Sequence, residues 1–374
     1  MRGSVRALAR GIACAVVVVP AASSVPAGAA AGSSGSQGTL LVVSSGATPG
    51  PVRVALVDVA SGATRGVLQG RDVSPTGAAW SPDGKWIALA KGRGVVLLAG
   101  DGHGLRRLPQ LRRGHAQGST FPGSFSWAPD SRMLAVDEAA GHRLVIRGID
   151  GGARVIRRTG SGTLILSVSW SPDGRWIAYD RDRDVGSANG AGCCSMTLHL
   201  IRPDGSGDHT VAVMRDAAHD APSRALWAPG AERFVFSTEA RDPDDPALAL
   251  VDVDSGKVTA LALRGLALGW SGDGRELAVV RVASNGRPNA LSLIDSSGHG
   301  RVLATDLPPS AFAGAWSPTG TELVIAGARV RAHEITAADL ELIDPAGGSP
   351  RVISQLPRGS EVESVAWRPA AGTR

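Results

Sequence analysis

Seven tryptophans divide this chain at intervals of 47, 43, 57, 43, 46 and 51 residues: Trp80, Trp127, Trp170, Trp227, Trp270, Trp316 and Trp367. Three of them open nearly the same phrase, Trp80-Ser-Pro-Asp-Gly-Lys85, Trp127-Ala-Pro-Asp-Ser-Arg132 and Trp170-Ser-Pro-Asp-Gly-Arg175, and the other four open worn copies. Such spacing lies near the roughly 40–50 residues of a four-stranded propeller blade and is too loose for a tight solenoid. The chain is therefore an array of one repeated module.

Each phrase lies between two apolar stretches, where a hairpin has to reverse direction. Proline presets its φ, Asp bonds back to nearby amides and Gly accepts φ > 0, so Pro-Asp-Gly is a turn with a mechanism. A second mark follows later in each module: Leu56-Val-Asp-Val-Ala-Ser-Gly62, Leu250-Val-Asp-Val-Asp-Ser-Gly256, Leu293-Ile-Asp-Ser-Ser-Gly298 and Leu342-Ile-Asp-Pro-Ala-Gly347. Every module thus reads as four antiparallel strands, A to D, with tight turns at A–B and C–D.

Six complete modules begin at the first six tryptophans, which leaves two fragments. Residues 39–69 supply three strands without a Trp phrase, and Glu363 to Pro369 supply a lone Trp-bearing strand. Joining the last strand to the first three as their strand A leaves no open edge. The expected fold is all-β, a seven-bladed propeller of four-stranded antiparallel blades closed by the C-terminal strand joining the N-terminal blade. It occupies residues 39–369.

The phrase Trp-Ser-Pro-Asp-Gly followed by an apolar strand resembles the WD40-like "PD40" repeat of TolB-type propellers, over nearly all of residues 39–369. The resemblance implies a TolB-like propeller. The repeats also resemble the propeller of prolyl-oligopeptidase-type enzymes, but the chain carries no Gly-x-Ser-x-Gly nucleophile elbow.

Residues 1–29 carry Arg2, Arg6 and Arg10, an apolar run from Ile12 to Val19 and small residues up to Ala29, the layout of a secretory signal peptide. Cleavage is expected after Ala29 or Ala31, followed by a flexible leader over 30–38 and a loose tail over 370–374. Losing three Arg and no acid lowers the formal charge from +5 to +2, which removes the case for nucleic acid. No stretch reaches the roughly 20 apolar residues of a membrane-spanning helix. The expected product is an exported monomer, secreted or held in the periplasm or cell envelope.

The A–B and C–D turns share one face of such a disc and are nearly uniform, whereas the opposite face carries all the variation, which points to it as the binding face. Its candidate partner-binding residues are Arg112, Arg113, His115, Asp180, Asp182, Asp184, His219, Asp220, Asp244 and Asp245. Asp180-Arg-Asp-Arg-Asp184 reads either as a solvated charge ladder continuing strand B or as a calcium-type carboxylate cluster, though Ala191 stands where a calcium loop has a bidentate Glu. The adjacent Cys193 and Cys194 are the two cysteines after the leader and the candidate disulfide, with free thiols or a bond to another molecule as alternatives. With one Tyr and five Phe, the loops lack the rings of a carbohydrate platform. The residues point to a noncatalytic binding or scaffold protein for an envelope or extracellular protein or peptide, with no metal or cofactor. The rival is a stand-alone propeller enzyme of lyase or lactonase type, with or without a metal.

Overall fold

The computed structural model describes residues 37–46, 50–109, 124–138, 141–160, 162–185, 193–215, 224–238, 247–283, 287–305, 307–308, 310–331 and 334–370. All regular structure in them is β-strand, arranged as seven four-stranded antiparallel blades. In blade 1 the strand order is Ser360–Trp367, Thr39–Gly46, Val52–Asp58, Thr64–Gly70, so the C-terminal strand is the inner strand of the first blade. The pairing runs from Leu40 opposite Trp367 to Gly46 opposite Ser360, with Ser45 Oγ donating to the Glu363 carboxylate across the seam. Among the described residues, no helix is long and apolar enough to cross a membrane.

Blades 5 and 6 share one continuous strand, Val258–Trp270. Residues up to Arg264 pair with Ala247–Asp252 of blade 5, and those from Gly265 pair with Leu277–Val282 of blade 6. Gly265 is needed at the change of partner, because a Cβ there would lie 2.2 Å from the Val280 carbonyl oxygen. This junction therefore puts no loop on the disc.

The core consists of separate apolar clusters, most of them between neighbouring blades, as expected when each sheet buries both faces. The repeated tryptophans link these clusters. The indole Nε1 of Trp127, Trp227, Trp270, Trp316 and Trp367 donates to the carbonyl of Ala79, Ser169, Leu226, Gly269 and Ala315 respectively, over 3.0–3.4 Å. Each acceptor immediately precedes the Trp of the previous blade, so one repeated residue packs a core and ties its inner strand to the next. Trp170 turns instead to the Gly174 carbonyl in its own hairpin, and the buried Trp80 Nε1 has no acceptor.

The uniform face is held by its own turns. In the phrases at Trp80, Trp170 and Trp270, Ser81, Ser171 and Ser271 each donate a hydroxyl to the Asp two residues on, at 2.6 Å, and the same Asp accepts the amide after the Gly. The αL position of the turn is filled by Gly84, Gly174, Gly274 and Gly320, and by Ser131 and Ala231 at φ 60° where the phrase is worn. Arginines join adjacent turns: Arg65, Arg154, Arg233, Arg301 and Arg368 each donate to a turn carbonyl of the following blade.

Candidate functional site

On the opposite face the described strands of blade 4 run further than those of the blades beside it. Its inner strand, Thr163–Trp170, begins seven residues before the Trp, whereas the inner strands beside it are only Phe125–Trp127 and Leu226–Trp227. Its second and third strands, Ile177–Val185 and Cys193–Ile201, continue as a hairpin to the pair Val185 opposite Cys193. Residues 181–185 and 193–195 are therefore strand. In blade 7, likewise, Leu323–Arg331 and Glu334–Ile343 pair almost to their ends.

Beneath the blade 4 hairpin the inner strands of blades 3, 4 and 5 are laced sideways by side chains. Ser167 bulges with φ 51°, a left-handed conformation unfavourable for a non-glycine residue, and the register of its strand shifts there. Nearby, the amides of Val168 and Trp170 donate to Ser124 Oγ and Ser126 Oγ of blade 3, at 3.0 and 2.9 Å. Ser169 Oγ donates to the Ala225 carbonyl of blade 5 at 2.8 Å. Arg224 reaches past blade 4 to the Phe125 carbonyl of blade 3, at 3.2 Å. Burial lowers this guanidinium to about 10, so it stays charged at neutral pH.

The carboxylates of this sector are not solvated. Asp180 and Asp182 are 0% and 7% exposed and share the side of their strand that carries Ala178, which packs with blade 5, while Arg183 on the other side is exposed. A solvated ladder is thus corrected to a strand with buried acids, a half-buried Arg181 and an exposed Arg183. Asp137 occupies the equivalent repeat position in blade 3 and is 1% exposed. The side chains of Asp184, Cys193 and Cys194 lie outside the described residues, as do Arg112, Arg113, His115, His219, Asp220, Asp244 and Asp245 altogether. Among the described residues, no group of three or more His, Cys, Asp or Glu is placed to hold a metal.

Blades 3 and 4 are clamped by groups that the sequence did not single out. Asp208 accepts the Tyr179 hydroxyl at 2.8 Å, lies 3.1 Å from Arg157 Nη1 of blade 3 and is 3.3 Å from His199 Nδ1. Burial alone would raise the Asp208 carboxyl, but bonds from His199 and Tyr179 and the Arg157 charge outweigh it, and the net shift is downward. Burial, then the Asp208 charge, raises the Tyr179 phenol far above its ordinary value. An acid, a His and a Tyr in contact resemble catalytic parts, but here the Tyr179 hydroxyl bonds to Asp208, the His199 ring stacks on Tyr179 and its Nε2 meets Thr197.

Comparison with known proteins agrees with this architecture. The family model "WD domain, G-beta repeat" matches residues 153–185, from the outer strand of blade 3 to the second strand of blade 4. TolB from Acinetobacter baumannii is similar over 89% of this chain and 67% of its own, at 19% identity and TM-score 0.50. An oligogalacturonate lyase in complex with manganese aligns over 82% and 86% at 15% identity and TM-score 0.59. A putative 6-phosphogluconolactonase from Bacteroides fragilis aligns over 90% and 99% at 15% identity and TM-score 0.56. No curated protein matches the chain in sequence. The chain is a WD40-like, TolB-like β-propeller repeat protein, and at these identities the likenesses define its fold.

Proposed function

We propose that the protein is exported and works as a noncatalytic binding or scaffold module, a monomer whose loop-rich face engages an envelope or extracellular protein or peptide. The inequality of the two faces carries this reading. On one face the turn Asp, Ser and Arg groups are committed to holding turns and joining blades, so little hydrogen-bonding capacity is left for a partner. On the other, the hairpins of blades 4 and 7 extend past the strands beside them, and the non-repeating segments converge in sequence on blades 2 to 5. Variable segments on a rigid scaffold are the usual seat of recognition. The commitment of His199, Asp208 and Tyr179 to one another favours binding over catalysis.

The test replaces residues 186–192 with a two-residue Gly-containing turn. The expected result is a nearly unchanged unfolding midpoint, since the flanking strands keep their register, together with weakened capture of partners from envelope extract. Asp83→Ala should instead lower stability before it affects capture. Retained capture after loop replacement, with loss from a well-folded Asp83→Ala protein, would move the working surface to the other face.

A further inference from the structure

Four arginines on the loop-rich side of blades 3 and 4 behave unlike those on the uniform face. Arg143 and Arg158 stand directly opposite one another on adjacent strands of blade 3, an arrangement of like charges that is unfavourable without a counter-charge. Arg181 and Arg183 lie on the side of the blade 4 hairpin turned away from its buried acids. The two pairs are joined by His142, beside Arg143, whose Nδ1 donates to the Thr163 carbonyl at 3.1 Å; Thr163 is in turn the cross-strand partner of Arg183.

Among the described residues, none of these four arginines has an ion-pair partner. The acid opposite Arg143 is Glu138, but its carboxylate is bonded to the buried Arg147. Arg181 Nε is without an acceptor. Arg158 and Arg183 are exposed, while Arg143 and Arg181 are half-buried and so partly pre-positioned. Arg65, Arg154, Arg233, Arg301 and Arg368, by contrast, all have carbonyl partners across a blade junction.

We propose that this patch of Arg143, Arg158, Arg181 and Arg183 is the docking site for an acidic segment of a partner protein, rich in Asp or Glu. Planar guanidinium forks match carboxylates in pairs, and four of them over two neighbouring blades suit an extended peptide with several acids. Acidic sugars and nucleic acids carry anions too, but their binding surfaces usually add aromatic rings for stacking. The large hydrophobic side chains exposed among the described residues are Leu105, Val213, Val258, Val302 and Val352, with no ring among them. The proposal rests on the loop-rich face being the working face and adds the chemistry of its partner.

The test uses the whole exported chain and a fluorescein-labelled octa-glutamate peptide, read by anisotropy at 50 and 300 mM NaCl. The expected result is saturable binding that weakens at the higher salt, falls about tenfold in Arg143→Gln/Arg158→Gln/Arg183→Gln and is unchanged in the control Lys85→Gln/Arg175→Gln/Arg275→Gln. Circular dichroism and the unfolding midpoint establish that both variants fold. No binding by the wild type, or equal loss in both triple variants, would overturn the patch. Tighter, Arg143-dependent binding of a single-stranded oligonucleotide, a polygalacturonate fragment or anionic vesicles would overturn the choice of an acidic peptide. Partner capture from extract that survives the patch substitutions but not replacement of 186–192 would leave the face assignment standing and refute the patch alone.

Discussion

Trp80→Phe and Trp270→Phe form a matched pair that isolates the inter-blade hydrogen bond of the repeated tryptophan. Both side chains are almost wholly buried, at 1% and 2% exposure, and both carry a guanidinium over the ring, Arg368 at 5.3 Å and Arg233 at 5.5 Å. They differ at Nε1: in Trp270 it donates to the Leu226 carbonyl at 3.0 Å, and in Trp80 it is buried without an acceptor. Each substitution removes similar ring volume, at about 1–3 kcal/mol for an aromatic core contraction that keeps a six-membered ring. Trp270→Phe also strands a buried carbonyl, adding about 1–2 kcal/mol, whereas Trp80→Phe removes an unsatisfied donor and offsets part of its cavity. Urea unfolding followed by far-UV circular dichroism should place the Trp270→Phe midpoint below that of Trp80→Phe, the slope being compared to check that the transition stays cooperative. Equal midpoints, or a larger loss in Trp80→Phe, would refute the role assigned to the indole N–H.

Three further outcomes follow from the same contacts. Asp58, Asp204, Asp252 and Asp295 are held below the ordinary carboxyl value of 3.8 chiefly by bonds from Ser61, Ser206, Ser255 and Ser297; a depressed acid stabilises the fold above its unfolded pKa and loses that contribution as pH falls through the folded value. The urea midpoint should therefore be flat above about pH 5 and drop below about pH 4, and a midpoint that rises on acidification would contradict this. Asp208→Ala should cost about 2 kcal/mol by leaving the Tyr179 hydroxyl and Arg157 without their acceptor, and hydrogen exchange should quicken first in blades 3 and 4. Gly62→Ala should weaken the junction of blades 7 and 1, because the new Cβ would meet the Ile353 carbonyl oxygen at 2.2 Å at a residue with φ +71°, and an unchanged melting temperature would show that the turn relaxes freely.

The tryptophan phrases carried the architecture because a turn and a core residue at fixed spacing are local properties. Blade number and the use of Ser360–Trp367 as an inner strand followed from counting strands against phrases. The site was less legible. Asp180 and Asp182 read as solvated because alternating charges in a strand look the same whether the acidic side meets solvent or, as here, a neighbouring blade. The pairing of Arg143 with Arg158 depends on a register shift at Leu144–Val145, which composition does not reveal. Arg224 precedes a two-residue strand and gave no periodic signal, yet it spans from blade 5 to blade 3. Asp208 belongs to a Gly-rich turn by sequence; its contacts with Tyr179 and His199 appear only once the strands of blade 4 pair, and its ion pair with Arg157 only once blade 3 packs beside them.

Both the division into two faces and the arginine patch depend on a ring closed through its first blade, where Ser45 stands opposite Glu361. Closure is tested most directly by Ser45→Cys/Glu361→Cys, placed in a Cys193→Ser/Cys194→Ser protein from which residues 1–29 are absent. Under mild oxidation the paired strands should give a monomer two protons lighter than the dithiol, with residues 45 and 361 in one cross-linked peptide and a raised unfolding midpoint. A folded protein that keeps both thiols free, or links them only between molecules, would contradict the closed seven-bladed ring.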